Sequence, residues 1–520
     1  MKHMIINSPA VTAMIVAALL SLFSCKKDSK GTEPAITITG FSVDTAWIGK
    51  IITINGNGFS ATAADNSVRI GSTVVKEVVE ASNTSLTIKI PAGATSGKVF
   101  VKVNGVEKAS AKDLIIVNQL VWHKLLGGNN TDYAVSAEPT ADGGCLVAGF
   151  SKSTDGDVTG NHGNYDYWVV KLNADRTIAW QKTFGGSGDD FIYKMIPLAD
   201  GGCVLAGYSL STNGDVTGNH GNADIWIVKL NAAGAIVWQK TLGGSNIDMA
   251  SSVIATSDGY VVSGYTVSND GDVTGNHGDY DFWVVKLNES GTIIWQKTFG
   301  GTGSDYANSI IATSDGGYLV GGRTSSTDGD VTGNHGSVDC WLVKLNATGN
   351  AEWKKTYGGT DRESIESMLP TSDGGTIIAG YTNSLNGDVT GNHGNTDCWV
   401  AKLNSSGAIV WQKTLGGKSD EQALSIAPAQ NGGFAIAGFT SSTDGDVTAF
   451  HGSNDSWVVR LNTNGAIVWQ KAVGGSQVDD SYAIAASGNS FIVAGMSKST
   501  NGDISGGHGD ADFWVYKILD

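Results

Sequence analysis

Trp168-Val169-Val170-Lys171-Leu172-Asn173-Ala174-Asp175-Arg176-Thr177-Ile178-Ala179-Trp180-Gln181-Lys182-Thr183-Phe184 reads as a hairpin. Two runs rich in β-branched and aromatic residues flank a polar turn, the pattern of paired short strands. The first run returns as a Trp-x-Val-Lys-Leu-like strand at Trp226, Trp283, Trp341, Trp399, Trp457 and Trp514, in steps of 57 or 58 residues. The second, mostly Trp-Gln-Lys-Thr, stands at Trp122, Trp180, Trp238, Trp295, Trp353, Trp411 and Trp469. Each series has seven members, and they are out of step by one at the two ends of the chain.

Working outward from this hairpin, each repeat yields four strands. In the first they fall near Tyr133–Thr140 (A), Gly144–Ser151 (B), Tyr165–Asn173 (C) and Thr177–Phe184 (D). Tight turns join A to B and C to D, whereas the B–C link is long, through Asp155-Gly156-Asp157-Val158-Thr159-Gly160-Asn161-His162-Gly163. Seven antiparallel four-stranded units predict a β-propeller. The last unit stops after its C strand, at Trp514-Val515-Tyr516-Lys517-Ile518-Leu519, and the absent D strand stands ahead of the first unit as Val121-Trp122-His123-Lys124-Leu125-Leu126. That permutation predicts a ring closed by its N-terminal strand, with no open sheet edge between the ends. The repeats over 119–520 resemble propeller units of gram-negative surface and secreted proteins, a likeness that implies a fold and no defined activity.

The tryptophans are expected to hold the blades together. Each can remove roughly 150–250 Å² from water, worth about 4–6 kcal/mol as an upper bound. Small strand-A residues such as Ala134, Ser136, Ser251 and Ser252 suit a crowded channel. Cys145, Cys203, Cys340 and Cys398 occupy equivalent positions and read as small buried side chains rather than disulfides or metal ligands.

Composition bounds the function. Glycine contributes 71 of 520 residues and charged residues only 16%, which suits short strands and tight turns and argues against disorder. A net charge of -16 argues against nucleic acid as a partner and permits divalent cations or a basic partner. At the N-terminus, Lys2 and His3 precede an apolar run from Val11 to Leu20, too short to span a bilayer comfortably. The run ends in Leu22-Phe23-Ser24-Cys25, which resembles a bacterial lipobox. The likeness implies a signal peptide over residues 1–24, acylation of Cys25 and a lipid anchor to the outer membrane, with 25–33 as a tether.

Residues 34–118 alternate β-rich runs with Gly and Asn turns. Gly49, Ile54-Asn55-Gly56-Asn57-Gly58-Phe59-Ser60, Pro91 and Ser96-Gly97 resemble an IPT/TIG domain. The resemblance implies an immunoglobulin-like β-sandwich, and a spacer is its default role. The fold class read from the sequence is thus all-β, a sandwich followed by a seven-bladed propeller.

Alternating strand direction puts the B–C and D–A loops on one face. The B–C loops carry three side chains that do not vary among the repeats: Asp157, His162, Asp166; Asp215, His220, Asp224; Asp272, His277, Asp281; Asp330, His335, Asp339; Asp388, His393, Asp397; Asp446, His451, Asp455; and Asp503, His508, Asp512. Carboxylates also stand ten residues after each D-strand Trp, at Asp132, Asp190, Asp248, Asp305, Glu363, Glu421 and Asp479, where they are expected to ring one mouth of the channel. One reading of the triads is a calcium site, because Asp, Asn and backbone oxygens suit a hard cation. The other is a hydrogen-bonded scaffold. Magnitude favours the scaffold, since a charge-assisted bond contributes roughly 1.5–3 kcal/mol and seven would rival a domain's net stability.

A catalytic constellation is normally singular, so departures from the repeat are the better suspects for chemistry. Arg323 replaces the Phe150, Tyr208, Tyr265, Tyr381, Phe439 or Met496 of other repeats, and Arg362, Glu363 and Glu366 cluster nearby in the chain. These four form the candidate binding patch at the joint of blades four and five, and the aromatic series beside Arg323 could stack on sugars. No residues are assigned a catalytic role. The sequence reading is a monomeric, surface-anchored binding protein with a glycan or protein ligand. Its alternatives are a polysaccharide lyase or hydrolase using Arg323 with Glu363 or Glu366, and a purely structural lipoprotein.

Overall fold

The computed structural model describes residues 35–91, 93–116, 119–430 and 432–520. Cys25 and the segments expected to be a signal peptide and a tether lie outside the described residues. The chain divides into two compact units, Met1–Asn118 and Gln119–Asp520.

In the first unit one sheet runs in the order Thr37–Phe41, Ile51–Asn57, Ser85–Lys89, Val78–Ala81. The other runs Thr45–Ala46, Val106–Ile116, Gly97–Val103, Ser67–Ile70, Thr73–Val74. Period-two alternation builds the core: Ile52, Ile54, Leu86 and Ile88 of one sheet meet Val68, Val99 and Val101 of the other, while Ile51 is exposed. Gly56 lets Phe59 fold back over its strand, since a Cβ there would come within 2.4 Å of the phenyl Cζ.

The second unit is the propeller. In blade 1, strands Asp132–Pro139 (A), Cys145–Ser151 (B), Asp166–Leu172 (C) and Ile178–Phe184 (D) pair antiparallel in sequence order, and five further sheets repeat that order. In the seventh sheet, Leu120–Leu126 pairs with Asp512–Leu519, with His123 opposite Tyr516 and Leu126 opposite Phe513. Neighbouring A strands touch all the way round, the seventh against the first included. The fold is therefore all-β, and the ring is closed by the N-terminal D strand.

Strands B and C are buried on both faces because each blade lies between two others. Their long apolar runs follow from that burial. The C-strand tryptophans are at most 1% exposed and pack across the joints: Trp226 lies 4.6 Å from Tyr167 of the preceding blade and Trp168 lies 4.7 Å from Phe513. Each indole N–H also needs an acceptor. Trp168, Trp226, Trp283, Trp399 and Trp457 donate to Gln181, Gln239, Gln296, Gln412 and Gln470 on strand D. Where strand D carries Lys354 or His123 instead, the Nε1 of Trp341 and of Trp514 is buried without a partner.

The D-strand tryptophans are mostly half-buried and cover the C–D turn of the next blade. Gly234, at φ +74°, sits so close under Trp180 that a Cβ would be 2.9 Å from the ring. Ala134 and Ser136 do not line the channel. They face the blade joints, where Ser136 Oγ reaches Met195 O, and Val135 faces the channel with Ser251 and Ser252. Cys145, Cys203, Cys340 and Cys398 are buried free thiols, and burial pushes Cys145 up to about 11 and Cys203 to about 12.

Candidate functional site

The face that carries the B–C and D–A loops is built from seven copies of one latch. Each B–C loop bonds the D–A turn that leads into its own blade, as Asp215 N–H does to Gly185 O at 2.9 Å. The strand-A carboxylates are 0% exposed, so they do not ring an open mouth as expected. They hold the turns: Asp190 Oδ2 accepts Gly186 N–H and Ser211 Oγ, both at 2.9 Å. Glu363 accepts Gly359 N–H and Thr382 Oγ1, both at 2.7 Å. Glu363 is thus part of the latch and does not join the candidate patch. Burial leaves a carboxylate in place only where several donors replace its water.

The histidines meet one member of each triad. His162 gives its backbone N–H to Asp166 Oδ2 at 2.8 Å and sets Nδ1 2.9 Å from the same oxygen. The other six rings lie 2.6–3.1 Å from Asp224, Asp281, Asp339, Asp397, Asp455 and Asp512. The third member points elsewhere. Asp215 Oδ2 takes Gly185 N–H at 3.3 Å, Asp330 pairs with Lys354, and Asp503 lies 3.8 Å from Lys471. Among the described residues no group of three or more His, Cys, Asp or Glu side chains is placed to hold a metal ion. Desolvation pushes the strand-C aspartates up, Asp281 to about 6, against the pull of the histidine bonds.

The inner part of the same face is aromatic. Strand A and strand B run antiparallel there, with Tyr133 opposite Phe150, Phe191 opposite Tyr208, and Tyr306 opposite Arg323. Half-exposed rings follow one another around the mouth: Tyr482 to Tyr133 at 6.1 Å, Tyr133 to Phe150 at 5.3 Å, Phe150 to Phe191 at 4.8 Å, and Phe191 to Tyr208 at 5.3 Å. Burial and then Tyr193 push the Tyr208 phenol up, with Tyr265 across the next joint adding to them. Tyr265 then packs on Tyr280 and Tyr306, and Arg323 caps the arc 4.7 Å above Tyr306.

Beyond Arg323 the lining turns polar. A pocket of about 370 Å³ lies over blade 5, lined by Asp361, Arg362, Tyr381, Asn383 and Thr396, with Ser337 of blade 4 on one side and Gln422 of blade 6 on the other. Of the four residues of the expected patch, Arg362 lines this pocket beside Tyr381, and Arg323 stands on strand B of blade 4 opposite Tyr306. Glu366 lies in the channel neck, where its carboxylate accepts Ser364 Oγ at 2.6 Å and Asn308 Nδ2 at 3.3 Å. Burial pushes it up, and the two arginines oppose that.

Sequence reading singled out the strand-B series and missed its partners. Tyr133, Phe191 and Tyr306 each stand one residue after a strand-A carboxylate, and that position carried the signal. Tyr165 and Tyr280 lie just before strand C and join the arc only through packing.

Residues 36–115 match the IPT/TIG domain family. The regulatory protein FlaEY of Caulobacter vibrioides is 26% identical over 221 residues, which is 38% of this chain and 23% of that protein, so the chain spans less than a quarter of that relative's length. Among solved structures, an auxiliary nutrient binding protein from Bacteroides thetaiotaomicron is similar at 10% identity, with 93% of this chain and 98% of that one covered and a TM-score of 0.33. The WD40 β-propeller domain of Doa1 is similar at 10% identity, with 75% and 95% covered and a TM-score of 0.43. The Pan2 WD40 domain of Neurospora crassa gives 9% identity, 76% and 96%, and 0.41. At such identities and TM-scores these names carry nothing about what the present chain binds.

Proposed function

We propose that this protein is a membrane-anchored surface binding protein that takes a glycan across the mouth of its propeller. The arc of half-exposed rings from Tyr482 round to Tyr306 carries the reading. Pyranose rings offer apolar C–H faces that stack on aromatic side chains, and hydroxyls that need fixed polar partners. The arc supplies the first, and Asp361, Asn383, Thr396 and Gln422 in the adjoining pocket supply the second. The rings are already packed against one another, so little side-chain entropy is lost on binding. In this reading the lipid on Cys25 tethers the protein, the IPT/TIG segment is a spacer, and the Asp/His loops are the rigid frame of the mouth. Binding rather than catalysis is the activity proposed, because the repeated carboxylates are committed to the latches.

A glycan array probed with the purified protein tests this, with calcium present and after chelation. Bound glycans in both conditions, lost in Phe191→Ala/Tyr208→Ala, are the expected result. Calcium-dependent binding would bring the Asp/His loops into the site. A blank array in both conditions sinks the proposal and directs the search to protein ligands.

A further inference from the structure

The chain carries five arginines. Arg69 pairs with Glu107 at 2.8 Å, Arg460 pairs with Asp520 at 2.8 Å, and Arg176 bonds Asp175 O in its own turn. The other two, Arg323 and Arg362, make no side-chain hydrogen bond and no ion pair within 4 Å among the described residues. Arg323 stands on strand B of blade 4, and Arg362, just ahead of strand A of blade 5, is bridged to Val338 of blade 4. Arg323 is held by stacking on Tyr306, which leaves its N–H edge unused. Arg362 is exposed and lines the pocket beside Tyr381 and Asn383. The nearby carboxyl of Glu366 is already engaged by Ser364 and Asn308.

One guanidinium on the pocket wall and a second on strand B of the preceding blade, neither with an ion-pair partner among the described residues, stand out in a chain of net charge -16. A guanidinium presents paired N–H donors that match the two oxygens of an oxyanion. We propose that the pocket over blade 5 selects an anionic saccharide, with Arg362 on its wall and Arg323 on the preceding blade holding the carboxylate of a uronic acid or the sulfate ester of a sulfated sugar. This rests on the glycan reading above. The neighbouring residues of the same glycan then run back along the aromatic arc, which gives the site an acidic end and a stacking end.

The test is an array holding neutral, uronate-bearing and sulfated glycans, with uronate members also present in carboxyl-reduced form. It is probed with the wild-type protein, Arg323→Phe/Arg362→Gln, and Arg176→Gln as a charge-loss control. Phenylalanine already stands at the position of Arg323 in two other blades, Phe150 and Phe439, so the fold accepts it. Anionic glycans are expected to bind, their carboxyl-reduced forms to bind at least tenfold more weakly, and the double variant to lose about tenfold per guanidinium. Arg176→Gln should bind as wild type. The split between uronate and sulfate spots identifies the source of the oxyanion. Binding of neutral glycans alone, or anionic binding that the double variant retains, overturns the anionic selectivity and leaves the glycan reading standing. A blank array overturns both.

Discussion

Lys354→Gln is expected to stabilise the propeller, and blade 4 shows why. In five blades the strand-D glutamine accepts the buried indole N–H at 2.8–3.0 Å and gives its own amide to a B–C loop threonine. Blade 4 has Lys354 instead, which leaves Trp341 Nε1 buried and unpaired and turns the ammonium to Asp330. Glutamine would satisfy a stranded buried donor, worth about 1–3 kcal/mol, and could bond Thr332 for roughly 0.5–1 kcal/mol more. It would forfeit an ion pair whose side chains are 27% and 26% exposed, worth about 0–1 kcal/mol after screening. The net expectation is a gain of about 2 kcal/mol, within a range of about 0.5–4 kcal/mol. Equilibrium unfolding in urea, followed by tryptophan fluorescence, would show a higher midpoint at unchanged slope. Lys354→Met removes the same ion pair without supplying an acceptor, so it isolates the hydrogen-bond contribution and should be no more stable than wild type. If the glutamine variant is no more stable than the methionine one, the indole–amide bond is not what holds strand D to strand C.

Three further outcomes follow from the same geometry. Asp190→Ala strands the Gly186 N–H and Ser211 hydroxyl inside a latch, and a loss of about 2–4 kcal/mol in urea unfolding is expected, against near-neutrality for Asp510→Ala in an exposed loop. Gly234→Ala should cost about 1–3 kcal/mol, because φ is +74° and the methyl would strike Trp180; a neutral result would mean that the indole swings away freely. The strand-C aspartates, Asp281 at about 6 among them, bind protons more tightly folded than unfolded, so their contribution grows as pH falls from 7 toward 5. Lys-paired Asp142 and Asp373 are held low, so theirs is present above roughly pH 4 and fades below it. A urea midpoint that peaks between about pH 4 and 6 is expected, and one that declines steadily from pH 8 to 5 would contradict the burial argument.

Repetition made the architecture legible without coordinates. Seven copies of a strand pattern demand equivalent surroundings, and the displaced Trp122 strand has one place to pair, opposite Tyr516 and its neighbours. Local sequence also carried the turns, because Gly and Asn-Gly positions reflect backbone conformations that no distant residue alters. The roles of the polar side chains were another matter. Asp132 and its equivalents follow a fixed spacing whether they face a channel or a latch, and only the packing of one blade's turn on its neighbour's loop leaves them 0% exposed. Glu363 and Glu366 stand three residues apart, yet one is sealed in a latch and the other faces the channel neck. The aromatic arc likewise joins residues from five blades through contacts made only when the ring closes. Strand periodicity is a short-range property and can be read along the chain, whereas burial and convergence depend on which blades become neighbours, and that is decided in three dimensions.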